Sequence, residues 1–199
     1  MEPNIWGAET WKFLHLITLQ SNIPKQTLYD LFYHLQVLLP CEKCRNNYKR
    51  HIEEYPFPNN KKDIPKWLIQ FHNRVNESIS KPIQKEKDMF VFWKKQNKMI
   101  KTSKDTGIWF FIQCAINTHP GKAHFSEELL KAHQFFWANI SILLPTYITD
   151  RDLVLTYLSE HPITDINIKY KYQKHMYKFS NHFNLTEETK ICSEYCAKK

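Results

Sequence analysis

Through the first eighty residues, apolar side chains recur three and four positions apart, and nowhere do they alternate with polar ones over any length. That spacing lines one face of an α-helix and does not suit a strand. Trp11, Leu14, Leu16 and Ile17 mark a first helix over 9–19, and Leu28, Leu31, Phe32, Leu35 and Leu38 a second over 27–39. Pro40 falls at or just before the first turn of a third helix over 41–55, where its missing N–H is tolerated. After the turn-rich EYPFPNNKKDIP, Trp67, Ile69, Phe71, Val75 and Ile79 mark a fourth over 66–80, with Pro82 beyond it. The predicted fold class is all-α, a four-helix bundle. Only three glycines in 199 residues and a high aromatic content argue against disorder.

The length allows two small domains. The basic stretch 84–105, with Phe90, Phe92 and Trp93, reads as an irregular connector, and beyond it the pattern weakly repeats. WFFIQCAI (109–116) resembles WKFLHLIT (11–18), and Leu143-Leu144-Pro145 echoes Leu38-Leu39-Pro40. The following helices end alike, at Glu54-Tyr55-Pro56 and Glu160-His161-Pro162. In this comparison the loop between the first two helices is longer in the second half, and TYIT (146–149) replaces CEKC (41–44). The expected organisation is a bundle over 1–100, a degenerate helical copy over 101–180, and a polar tail over 181–199.

No apolar run reaches membrane-spanning length, and MEPNIWGAETW lacks the basic start, apolar centre and cleavage site of a secretory signal. A soluble protein of a reducing cytosol is expected. The net charge is +8, but lysines are spread along the chain and arginine is rare, so no specific nucleic-acid partner is expected. Five cysteines form two close pairs, Cys41/Cys44 and Cys192/Cys196, with Cys114 left over in an apolar segment as a buried small hydrophobe. In a reducing compartment close pairs suggest redox chemistry or metal before a disulfide scaffold.

CEKC sits where a helix begins, and the free N–H groups of a first turn favour a thiolate there. Zinc ligation, thioredoxin-like exchange and a dithiol working against a flavin all use this spacing. A structural zinc site needs two more ligands, and His51 and His72 make no second pair of the usual kind. A thioredoxin-like fold needs strands, which are not visible. On the fourth helix, HNRVN places His72, Val75 and Asn76, with Ile79, along one face. Buried His and Asn need partners, such as the heteroatoms of a flat ring ligand.

Four segments in order then resemble the Erv-type sulfhydryl oxidases, a family that includes the augmenter of liver regeneration and small oxidases of large cytoplasmic DNA viruses. They are GAETWKFLH (7–15), LLPCEKC (38–44), HNRVNESISKP (72–82) and Trp93 twelve residues after Lys81. The resemblance implies an FAD-dependent thiol oxidase that forms disulfides in protein substrates and reduces molecular oxygen to hydrogen peroxide. The cofactor would lie in a four-helix bundle with a short extra helix near Trp93. Gly7, Thr10, Trp11 and His15 would contact FAD from the first helix, and His72, Asn73, Val75 and Asn76 from the fourth. Lys81 and Trp93 would close the adenine and phosphate end. Cys44 would face the flavin, and Cys41 would exchange with thiols.

Cys192/Cys196 would serve either as a shuttle dithiol or as a structural disulfide. The family's extra structural disulfide has no matching cysteines here. Family oxidases commonly pair as dimers, so a second degenerate bundle would make a pseudo-dimer within one chain, with Thr146 and Thr149 marking a dead site; further homodimers remain open. A viral member acting in the host cytoplasm or virion is expected. The competing reading is a non-catalytic helical module that uses CEKC as a zinc or partner site.

Overall fold

A computed structural model describes residues 3–103, 107–117, 119–144 and 149–185. Among them every regular element is helical: α1 (Pro3–Thr18), α2 (Lys25–Leu38), α3 (Glu42–Glu54), α4 (Ile64–Ser78), α5 (Glu86–Ser103), α6 (Ile108–Asn117), α7 (Glu127–Leu143), α8 (Arg151–Glu160) and α9 (Lys169–His182). The first four follow the predicted periodicity. Phe13, Leu28, Leu31, Leu35, Ile64, Leu68 and Phe71 are fully or almost fully buried between them. At about 25 cal/mol per Å² of apolar surface, such a core is the main force holding the bundle.

The stretch read as an irregular connector is instead α5, which packs on α1 and α4. Met89, Phe90, Trp93, Gln96 and Asn97 are its half-buried residues. Their three- and four-residue spacing is a helical stripe that the surrounding lysines obscure. The Gln20 side chain donates to Asn97 Oδ1 at 2.7 Å and ties the far part of α5 to the end of α1.

The second half repeats two of the helix pairings of the first. α6 packs on α9 as α1 packs on α4, and α7 on α8 as α2 on α3. Matching helices end in matching backbone geometry: Leu39 (φ −59°, ψ 133°) with Leu144 (−73°, 125°), and Tyr55 (−136°, 77°) with His161 (−128°, 66°). α4 and α9 both close in a Schellman motif. Ser80 and Asn184 take the left-handed position, with Lys81 N–H donating to Asn76 O and Leu185 N–H to Ser180 O, each at 2.8 Å.

The halves meet through α1 on α6 and α2 on α7. Phe13 stacks on Phe111 with centroids 5.6 Å apart. One turn earlier Gly107 lies so close to the Glu9 carbonyl that any side chain there would collide with it. Both contacts advance four residues along each helix, so α1 and α6 run in the same sense. Both also join positions that correspond in the sequence repeat, a self-complementary contact like that between subunits related by a two-fold axis.

Candidate active site

α3 starts at the corner left by Pro40. Cys41 is its N-cap, Cys44 lies in its first turn, and the two are joined as a disulfide with Cα atoms 5.1 Å apart. The Cys44 backbone N–H donates to Cys41 Sγ at 3.3 Å, so the cap's sulfur takes the place usually held by a serine or aspartate oxygen. Arg45 donates through Nη1 to Leu39 O at 2.8 Å, tying the start of α3 to the end of α2. Both sulfurs are half-buried. Among the described residues no group of three or more His, Cys, Asp or Glu could hold a metal ion.

In the same bundle α1, α4 and α5 bring four flat rings together. Trp11 stacks on His72 at 3.8 Å with an interplanar angle of 7°, and His15 stacks on Trp93 at 4.5 Å. His15 Nε2 and His72 Nδ1 are 3.1 Å apart, so the N–H of one ring donates a hydrogen bond to the bare nitrogen of the other. Burial holds both imidazoles neutral. It lowers His15 well below the usual histidine range, with His72 adding to the effect. Burial and then the charge of Lys81 take His72 to about 4.

Two buried donors in this region have no hydrogen-bond partner: Thr10 Oγ1 and Trp93 Nε1. Leaving such groups unsatisfied costs about 1–3 kcal/mol each, so both are candidates for a ligand's hydrogen bonds. Beside Gly7 the space is open, since a Cβ there would meet nothing within 4 Å. Val75 and Asn76 are half-buried on α4, and the Schellman turn carries the exposed Lys81 back over this end of the helix.

Asn73 has a different surrounding. Its Nδ2 donates to Gln84 O at 2.8 Å and its Oδ1 accepts from Gln84 N–H at 3.0 Å, which fixes the linker into α5. Ile79 lies beyond the last turn of α4 and is about half exposed, so it does not extend the apolar face of HNRVN. Sequence reasoning did not find Arg45, which lies just outside CEKC, or the role of Asn97, which belongs to the α5 stripe that the sequence did not reveal.

In the second half the corresponding ground is filled by the chain's own side chains. Trp137 Nε1 donates to the Tyr172 hydroxyl at 2.7 Å, so that hydroxyl must donate to His133 Nδ1 at 2.8 Å. Burial lowers His133 to about 3 and raises Tyr172 far above its usual range. Gln113, at the position matching His15, is buried, as is Cys114. Thr149 is half-buried just before α8, whereas Thr146, Cys192 and Cys196 lie outside the described residues.

The Erv1/Alr family profile matches residues 8–98. A probable FAD-linked sulfhydryl oxidase of Acanthamoeba polyphaga mimivirus is 31% identical over 121 residues, covering 56% of this chain and 83% of the relative. An FAD-linked sulfhydryl oxidase of African swine fever virus is 32% identical over 84 residues, 39% of this chain and 71% of the relative. One from Arabidopsis thaliana is 28% identical over 81 residues, 38% of this chain and 42% of the relative. No solved structure matches the chain. No described helix is long and apolar enough to cross a membrane. The matched region spans α1 to α5, with the N-capping disulfide and the ring cluster both inside it, and the chain belongs to the Erv1/Alr family.

Proposed function

We propose that the chain is an FAD-dependent thiol oxidase that makes disulfides in protein substrates through Cys41 and Cys44, with oxygen as the final electron acceptor. The observation that carries this reading is a helix-capping disulfide in one bundle with a cluster of flat rings and orphaned buried donors. These residues fit FAD. Trp11, His15, His72 and Trp93 offer faces for flat rings, Thr10 and Trp93 offer free donors, and Gly7 leaves room for close approach. Val75 and Asn76 complete the wall, and Lys81 suits a pyrophosphate. Asn73 acts by holding the linker that sets Lys81 and α5.

A substrate thiolate attacks Cys41 Sγ, the Cys41–Cys44 bond breaks, and its electron pair leaves on Cys44. The second substrate thiolate then attacks the substrate sulfur of the mixed disulfide and releases Cys41. The Cys44 N–H and the N-terminus of α3 stabilise that leaving thiolate. The substrate has lost two electrons and two protons, and the Cys41/Cys44 dithiol has gained them. FAD held by these residues would supply the two-electron acceptor for this dithiol and the route to oxygen, which would leave as hydrogen peroxide. Burial lowers His15 and His72 below the usual histidine range, which favours neutral rings in this wall.

In this reading the second half descends from a duplicated bundle. It holds the pairing surface of α1 and α2 within one chain, and the site occurs once, in the cytoplasm of a host cell. Cys192 and Cys196 serve as a shuttle dithiol or as a structural disulfide, and serine substitution of both separates the two by its effect on protein against small dithiol substrates. Purified chain should carry flavin absorbance and release peroxide from dithiothreitol, and lose turnover as Cys44→Ser. A colourless protein with stoichiometric zinc would sink the oxidase reading in favour of a binding module.

A further inference from the structure

At the seam between the two halves lies a cleft of about 220 Å³ that the chemistry above does not use. One wall includes Leu39 and Arg45, two residues before Cys41 and one after Cys44. The facing wall comes from the second half and includes His119, Pro120, His124 and Leu129. This wall is the connector between α6 and α7, the loop that is longer than its counterpart between α1 and α2.

The connector is a built feature. His119 is buried, its Nδ1 accepts from Gly121 N–H at 3.0 Å, and its Nε2–H donates to Ile166 O at 2.9 Å. Its ring stacks on Phe125 at 4.3 Å. Gly121 has φ +84°, which glycine adopts without steric cost. The 3-10 turn Lys122–His124 follows, with Lys122 and His124 exposed. Among the described residues no carboxylate lines the cleft. The nearby Glu127 is engaged by Lys131 at 2.7 Å.

We propose that this cleft receives the polypeptide flanking the substrate cysteine and favours an acidic residue there. The inference rests on Cys41 being the sulfur that substrates attack. A protein thiol reaching the α2–α3 corner must lay its neighbouring residues on the adjoining surface. Leu39 and Leu129 offer apolar contact for a side chain. Arg45, with Lys122 on the adjoining turn, supplies positive charge to attract a carboxylate. The second half, without a redox pair of its own, thereby selects substrates for the pair in the first half.

The test uses the FAD-loaded full chain with two synthetic dithiol peptides. They are identical except for a pair of aspartates or of lysines beside the first cysteine, and dithiothreitol serves as the small substrate. The aspartate peptide should be oxidised with kcat/KM about fivefold higher, the size of one or two exposed charge pairs. Joint Lys122→Glu and His124→Glu substitution should abolish or invert that preference and leave dithiothreitol turnover unchanged. Equal rates on the two peptides, or a preference that survives the substitutions, would overturn the proposal. So would a preference that disappears on replacing Cys192 and Cys196 by serine, because the cleft would then be receiving the chain's own tail. Failure of the parent chain to oxidise dithiothreitol would strike the oxidase reading itself, and this proposal with it.

Discussion

The backbone N–H of Cys44 points at Cys41 Sγ across 3.3 Å, so two cysteines in one short motif carry sulfurs of unequal chemistry. Negative charge is better supported on the cap than on the residue in the turn. With the partner cysteine replaced by serine, Cys41 should react with iodoacetamide at pH 7 about tenfold faster than Cys44. Equal rates in the two variants would remove the asymmetry. Either substitution should lower turnover on the order of a thousandfold or more, because the exchange needs both sulfurs.

Thr10 Oγ1 and Trp93 Nε1 are buried without partners. Thr10→Val should therefore leave the FAD-free chain as stable as the parent or up to about 1 kcal/mol more stable, while weakening FAD binding about tenfold. Thermal melts and a flavin fluorescence titration separate the two effects. A variant that loses stability but keeps its flavin affinity would make Thr10 a structural residue only.

Acid should destabilise the fold through its buried histidines. His15, His72 and His133 all sit below the usual histidine range, His72 at about 4 and His133 at about 3. The unfolded chain then binds more protons than the folded one below about pH 6.5, so stability present above that pH is lost as it falls toward these values. The steepest dependence expected from three such groups is about 4 kcal/mol per pH unit. Urea midpoints between pH 7 and 4 measure it. His133→Gln, which keeps an acceptor for the Tyr172 hydroxyl, should flatten the slope by one proton.

Gly107 joins the halves at a position with φ +70° and no room beside the Glu9 carbonyl. Gly107→Ala should cost about 3 kcal/mol, combining a left-handed backbone with a clash at the α1–α6 contact. Denaturant unfolding reads the loss directly. An unchanged midpoint would mean that this contact does not hold the two halves together.

Much of the first bundle was legible because Leu28, Leu31, Leu35 and Leu38 face one way on any helix, whatever packs on them. The redox pair was legible because CEKC follows a proline at a helix start, and its pairing with HNRVN and Trp93 came from the family resemblance. The resemblance implied only a short helix near Trp93, and periodicity did not show the length of α5, because the exposed Val91 and Phe92 stand among Met89, Phe90 and Trp93 and hide which side α1 and α4 bury. Asn73 entered as a cofactor contact through the family resemblance alone, and its two hydrogen bonds to Gln84 were not legible because they depend on where the following linker lies.

Local periodicity and motif chemistry by themselves determined the first four helices, the Cys41/Cys44 pair and the echo of one half in the other. Such properties depend on residues a few positions apart. Only the tertiary structure decided that Phe13 would meet Phe111, that Gly107 would press on Glu9, and that the α6–α7 connector would stand beside the α2–α3 corner. Those contacts join residues about eighty to a hundred positions apart, and they follow from which buried faces fit together. The unequal sulfurs of Cys41 and Cys44 lie between the two cases. Their spacing is sequence, but the N–H that distinguishes them exists only once α3 has formed with Cys41 as its cap.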